Sequence, residues 1–258
     1  MTLNLLDHFL LSQIFAFLLI FCRVGSVFMV VPGFSEAYVT PRMRLAIGLG
    51  LSLLLTPMLI KSLPPTPPAF GIMALMIISE ILIGVFLGLI VRLMLSSMHV
   101  AGTSIAAQSS LALASVFDIS NGGQSAIISN FLSLTAITCF FALNLHHILI
   151  AGMVDSYNVF QIGNLPIIGD MSMTLSRVAT DAFMVGIQLS APWLIFSLLF
   201  YLFGGLLTRI MPNFQIFFVL IPPQIMLALF LLLITLSSMM MYYMNHLEDQ
   251  LLSMLGGL

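Results

Sequence analysis

Six long apolar runs, separated by polar, glycine-bearing or proline-bearing stretches, set the plan of the chain. The first, Phe9 to Val31, is long enough to cross a hydrocarbon layer of about 30 Å at about 1.5 Å per helical residue, and Pro32-Gly33 ends it. A polar connection from Ser35 to Arg44 follows, with Glu36, Pro41 and Arg42. The second run, Leu45 to Ile60, is short for a span and holds Gly48, Gly50 and Pro57. Pro64-Pro65-Thr66-Pro67-Pro68 reads as a stiff, extended spacer before the third run, Ala69 to Leu95, which carries Glu80 and, near its end, Arg92.

Small and polar residues then take over. A helix is predicted from about Ser96 to Ala107, and a long loop centred on Ser110 to Gln124, where Asn121-Gly122-Gly123 is a strong turn signal. Loops of that length in compact proteins are usually functional or disordered. The fourth run, Ile127 to Val154, is interrupted at Asn144, His146 and His147. Asp155 to Asp181 is polar enough to lie outside an apolar layer. The fifth run, Ala182 to Leu207, contains Pro192, and Arg209 to Asn213 is a turn through Pro212. The sixth, Phe214 to Met244, is predicted to bend at Pro222-Pro223 because two backbone donors are missing, and Asn245 to Leu258 is a short acidic tail. The fold class is therefore all-α: a polytopic, membrane-associated protein of kinked and broken helical hairpins.

Composition sharpens this. Of 258 residues, 60% are hydrophobic and 6% charged, against roughly 25% charged in a soluble domain. So few charges cannot cover a water-exposed surface. Seven basic residues spread thinly make no patch, which argues against nucleic-acid binding, since that needs clustered cations. Nor do the cations choose a side: Arg42 and Arg44 lie in the first connection, Lys61 in the second, Arg92 and Arg177 later and Arg209 in the last turn, without clear asymmetry. The stretch Met1 to His8 has Asp7 and no Lys or Arg, unlike a signal peptide, so it reads as the start of a retained helix.

Ionisable groups inside apolar helices are costly and are candidates by default. Arg23 and Glu80 are the clearest, and pairing across two helices would satisfy both; Arg92, Asn144 and His146 are the other polar interruptions. His146 and His147 point about 100° apart on a helix, unlike an i, i+4 metal pair. Cys22 and Cys139 sit in apolar runs as small hydrophobes. No Gly-x-Ser-x-Gly elbow or phosphate-binding loop is present. The residues thus point to no catalytic site, no metal and no cofactor. Gly84 and Gly88 form a Gly-x-x-x-Gly face for close helix approach. A secondary transporter using Arg23, Glu80 and the histidines is the competing class, and it predicts solute uptake by the chain alone.

Four stretches, in order, resemble a known family. They are Cys22-Arg23-Val24 through Pro32-Gly33-Phe34-Ser35 to Pro41-Arg42-Met43-Arg44 and Pro57; Glu80 through Gly84 and Gly88 to Gly102 and Gln108; Phe117-Asp118, Asn144-Leu145-His146-His147 and Asp155-Ser156; and Pro192, then Gly205 through Arg209 and Pro212 to Ile216 and Pro222. Together they resemble the FliR family of flagellar type III export proteins, whose virulence-system relatives are the SctT proteins. Leu145 and Ile119 stand where that family often has Gly and Pro. The resemblance implies a subunit of a protein export gate in the bacterial inner membrane at the flagellar basal body. It implies FliP-like, FliQ-like and FlhB-like partner subunits, and unfolded flagellar proteins as cargo. A SctT-type subunit of a virulence system is the alternative. It also implies a FliP-like portion over 1–180, a FliQ-like hairpin over 181–258, and a channel plug at about 109–125. In that plug, which includes Ser110 and Asp118, Leu111, Leu113, Val116 and Phe117 would supply apolar bulk, and Asn121, Gly122 and Gly123 a mobile turn. Helices of such a gate pack largely on partner subunits, so six apolar segments need not be six ordinary crossings.

Overall fold

The computed structural model describes residues 2–59, 70–110, 127–163, 166–211 and 216–255. Among them are seven helices and no strand: α1 (Thr2–Val30), α2 (Pro41–Leu59), α3 (Phe70–Gln108), α4 (Ile127–Ala142), α5 (Leu145–Val159), α6 (Ile168–Ile210) and α7 (Ile216–Leu255). Five are long and apolar enough to cross a membrane, or six if α4 and α5, which are bent by 73°, count together as one span. The bend falls at Asn144, whose φ of 60° and ψ of 21° are left-handed, a conformation Asn tolerates better than most residues.

Several boundaries differ from the sequence reading. Arg42 and Arg44 belong to the first turn of α2, because Pro41 supplies the preset φ of a helix start. The small, polar stretch after Leu95 does not start a new helix but extends α3 unbroken to Gln108. Residues 168–181, read as part of a polar connection, are the opening turns of α6, and the tail after Met244 is helical to Leu255. Pro57, Pro192 and Pro222-Pro223 lie inside continuous helices. Their rings sit on exposed faces, where they displace no neighbouring side chain. In apolar surroundings no water replaces a lost helical bond, so the ladder closes again on either side of the proline.

The chain divides into two compact units. The first comprises Met1–Leu93, Asn144–Val178 and Glu248–Leu258. Within it α1 and α2 form a hairpin in which Gly48 approaches Gly25 and Phe21. Phe15 and Leu19 of α1 pack on Met76 of α3, with Met73, Ile77 and Ile162 around them. The second comprises Met94–Leu143 and Ala179–Leu247. Here α3 is the central element. Gly102 lets α4 in at Ser129, and Gly186 of α6 lies against Val100 and the Ser97 carbonyl. Tyr243 of α7 donates to the Met94 carbonyl at 3.1 Å. Trp193, wholly buried, points Nε1 at the Ala228 carbonyl, 3.4 Å away.

Candidate functional site: a buried ion pair and a polar seam

In the first unit, Glu80, Gly84 and Gly88 lie four residues apart on one stripe of α3. A Cβ at Gly84 would meet Ser26 Oγ and the Arg23 carbonyl, and one at Gly88 would lie 2.8 Å from Val30 Cβ. The glycines therefore bring α3 against the backbone of α1 and set Glu80 opposite Arg23. Ser26 turns its hydroxyl back to the Arg23 carbonyl.

The pair is bidentate. Arg23 Nε donates to Glu80 Oε2 at 2.6 Å and Nη2 to Oε1 at 3.0 Å. Nη1 also donates to Ser156 Oγ at 3.2 Å, and Nη2 to the Phe160 carbonyl at 2.9 Å. The guanidinium carbon lies 3.8 Å from the centre of the Tyr157 ring. Four of the five guanidinium donors are thereby used. Arg23 is 1% exposed and Glu80 0%. A charge pair this dry is tolerable only when its remaining donors are also satisfied, and α5 supplies that: Ser156 and Tyr157 lie on its last turn, and Phe160 follows as its C-cap. The cluster thus ties α1, α3 and α5 together at one point.

In the second unit a polar seam lies where α3 ends. Ser110 has φ 59°, the left-handed turn that often closes a helix and that Gly or Asn usually takes. Its hydroxyl donates to Gln224 Oε1 at 2.9 Å. Gln224 Nε2 donates to the Gln108 carbonyl at 2.9 Å, and Ser197 Oγ to Gln108 Oε1 at 2.6 Å. Three helices, α3, α6 and α7, meet through these groups. A cavity of about 210 Å³ beside the seam is lined by Ser110, Phe200, Tyr201, Gly204, Leu220 and Gln224. Replacing Gln224 with leucine is expected to destabilise the chain by about 1–3 kcal/mol, because the Ser110 hydroxyl and the Gln108 carbonyl lose their partner while still part-buried. Thermal melting of the purified variant checks this; unchanged melting would remove the seam from any structural role.

Of the other candidates, Gly102 marks the approach of α3 to α4. Arg92, Pro192, Arg209 and Pro222 are exposed on their helices. Asn144 forms the bend; His146 is half-buried, and its ring centre lies 4.3 Å from that of exposed His147. Leu111, Leu113, Val116, Phe117, Asp118, Asn121, Gly122, Gly123 and Pro212 lie outside the described residues. Tyr157, Ser197 and Gln224 were not singled out from sequence. The signal was present for Gln224: a long amide in an apolar helix is costly without a partner.

These features define a polytopic, all-helical membrane protein whose buried polar groups join helices. The family described as bacterial export proteins, family 1, matches residues 14–250. The chain is 35% identical to the flagellar biosynthetic protein FliR of Caulobacter vibrioides, over 93% of this chain and 95% of that protein. It is 31% identical to FliR of Pectobacterium carotovorum subsp. carotovorum over 78% and 77%, and 26% identical to FliR of Escherichia coli over 91% and 88%. The chain therefore belongs to family 1 of the bacterial export proteins, the family of the FliR proteins.

Proposed function

We propose that this protein is a channel-forming subunit of the flagellar protein export gate, passing unfolded flagellar subunits across the bacterial inner membrane. The observation that carries the proposal is the similarity, over 93% of the chain, to a flagellar biosynthetic protein. The surface supports it. On α6, exposed large apolar residues run from Phe183 to Ile210, 28 positions, or about 42 Å of helix. A hydrocarbon layer of about 30 Å cannot cover that length, so part of the face calls for protein. FliP-like and FliQ-like helices, with an FlhB-like subunit beside them, are the partners proposed here. The division proposed is a FliP-like portion over 1–180 and a FliQ-like hairpin, α6 with α7, over 181–258. The segment at about 109–125 is proposed as the channel plug, rooted at the seam that binds Ser110.

Two experiments test this. Deletion of the gene is expected to abolish swimming and filaments; motile cells with intact filaments would sink the flagellar assignment. Removing residues 111–123 is expected to make the assembled gate leak small solutes, and a tight membrane in that variant would overturn the plug.

A further inference from the structure

A cavity of about 390 Å³ opens in the first unit between the end of α5 and the start of α6. Its walls include Phe86 of α3 and Phe160, whose rings meet edge to face with centres 6.0 Å apart. Ile167 and Met171 add further apolar lining. Phe86 is buried and Ile167 widely exposed, so the space runs from the interior to the surface. Two polar groups of α6 face it, Asp170 and Thr174. Thr174 turns its hydroxyl to the Asp170 carbonyl at 2.9 Å, which leaves the Asp170 carboxylate as the charged group of the cavity.

That carboxylate has no counter-charge nearby. Among the described residues no cation pairs with Asp170. The last turn of α5 holds no basic residue, and the carbonyl end of that helix adds negative potential beside Val159 and Phe160. Arg23 reaches the Phe160 carbonyl, but its guanidinium is spent on that carbonyl, Glu80 and Ser156. Arg177 stands seven residues, about 10 Å, further along α6 and does not line the cavity. An acid in the first turn of a helix is ordinary, because it answers the positive end of that helix. An open apolar cavity beside it is not, since its walls forgo the contacts of a filled interior.

The cavity therefore calls for an occupant that is apolar along its length and cationic at its tip. Arginine and lysine have that build: an apolar stem lies along apolar surface and carries a charged head beyond it. A metal ion would meet one carboxylate and mostly carbon, and no cluster of three ligating side chains occurs among the described residues. A lipid amine brings a phosphate with it, and no cation lines the cavity to receive that phosphate.

We infer that this cavity is the socket for an arginine or lysine side chain of a neighbouring gate subunit, with the stem against Phe86, Phe160 and Met171 and the head on the Asp170 carboxylate. The inference rests on the gate assignment, which supplies the neighbour. Charge complementarity of this kind fixes register and rejects wrong partners, so Asp170 decides where the neighbour seats.

Two arms test it on the full chain in its native membranes. Ile167 is replaced by the photo-crosslinker p-benzoyl-phenylalanine and the membranes are irradiated. The expected product joins this chain to a partner gate subunit, at a segment that carries an arginine or lysine. Cross-linking to a segment without a cation, to lipid, to exported protein alone, to this chain itself or to nothing overturns the socket. In the second arm the tagged chain is purified in detergent and the partner subunits that come with it are quantified. Asp170→Lys is expected to lower their recovery about tenfold, and Asp170→Glu to hold it within about twofold. Equal recovery with Asp170→Lys overturns the inference. If Asp170→Lys fails to accumulate, the cross-linking arm decides. Deletion of the gene separates the two readings: non-motile deletion cells with an undiminished Asp170→Lys complex sink the socket alone, and motile deletion cells sink the gate assignment.

Discussion

Replacing Glu80 with alanine is expected to leave little folded protein in the membrane. The change strands the Arg23 guanidinium, 1% exposed, with only Ser156 Oγ, the Phe160 carbonyl and the Tyr157 ring around it. Removing one partner of a buried pair costs about 3–5 kcal/mol, comparable with the whole stability of many domains. A double replacement, Arg23→Met with Glu80→Leu, is expected to recover most of the loss, since it removes both charges and keeps the volume. Abundance in isolated membranes and thermal melting in detergent measure both effects. A Glu80→Ala variant that melts with the unaltered protein would show that the pair does not hold α1, α3 and α5 together. If the double variant accumulates normally yet does not export, the pair also acts in the working gate, and its charge is then the relevant property.

The second large effect is expected at Gly102. A side chain there would run into Ser129, with its Cβ meeting Ser129 Cα and lying 2.8 Å from the Ser129 nitrogen. These are backbone atoms of α4 and cannot rotate aside. Gly102→Leu must push α4 from α3, and overpacking of this kind typically costs about 1–3 kcal/mol, with more when backbone has to shift. Gly84→Leu should be comparable, because the Arg23 carbonyl blocks it. Gly50→Leu and Gly205→Leu are the controls: nothing lies within 4 Å of a Cβ at either position, and both variants should melt close to the unaltered protein. Were Gly102→Leu as stable as those controls, the close approach of α3 and α4 would not be a tight one.

The close-packed glycines show which parts of the architecture were legible beforehand. Gly84 and Gly88 announced a contact face by their spacing, and Asn144 announced a break. Arg23 and Glu80 stood out because each is ionisable within an apolar run. What the pair needs around it was not legible. Ser156, Tyr157 and the Phe160 carbonyl come from a helix more than 130 positions away from Arg23, and serine and tyrosine are ordinary residues anywhere. The polar seam was hidden for the same reason: Gln108, Ser110, Ser197 and Gln224 are scattered over three helices, and only their meeting makes each hydroxyl and amide satisfiable. Prolines did not mark helix ends. Helices α6 and α7 continue through Pro192 and Pro222-Pro223, since a helix in apolar surroundings has no other partner for its backbone.

By itself, then, the sequence determined the material of the protein. Sparse charge and long apolar runs demand helices, because a backbone without water must bond to itself, and the ordered motifs place the chain in its family. The tertiary structure decided which side chains meet. It turned two isolated charges into a closed network with Ser156, Tyr157 and the Phe160 carbonyl, and it gathered Gln108, Ser110, Ser197 and Gln224 into one seam. Position along the chain measures distance in residues. A buried carboxylate or amide responds to distance in space, and only the packing of the helices converts one into the other.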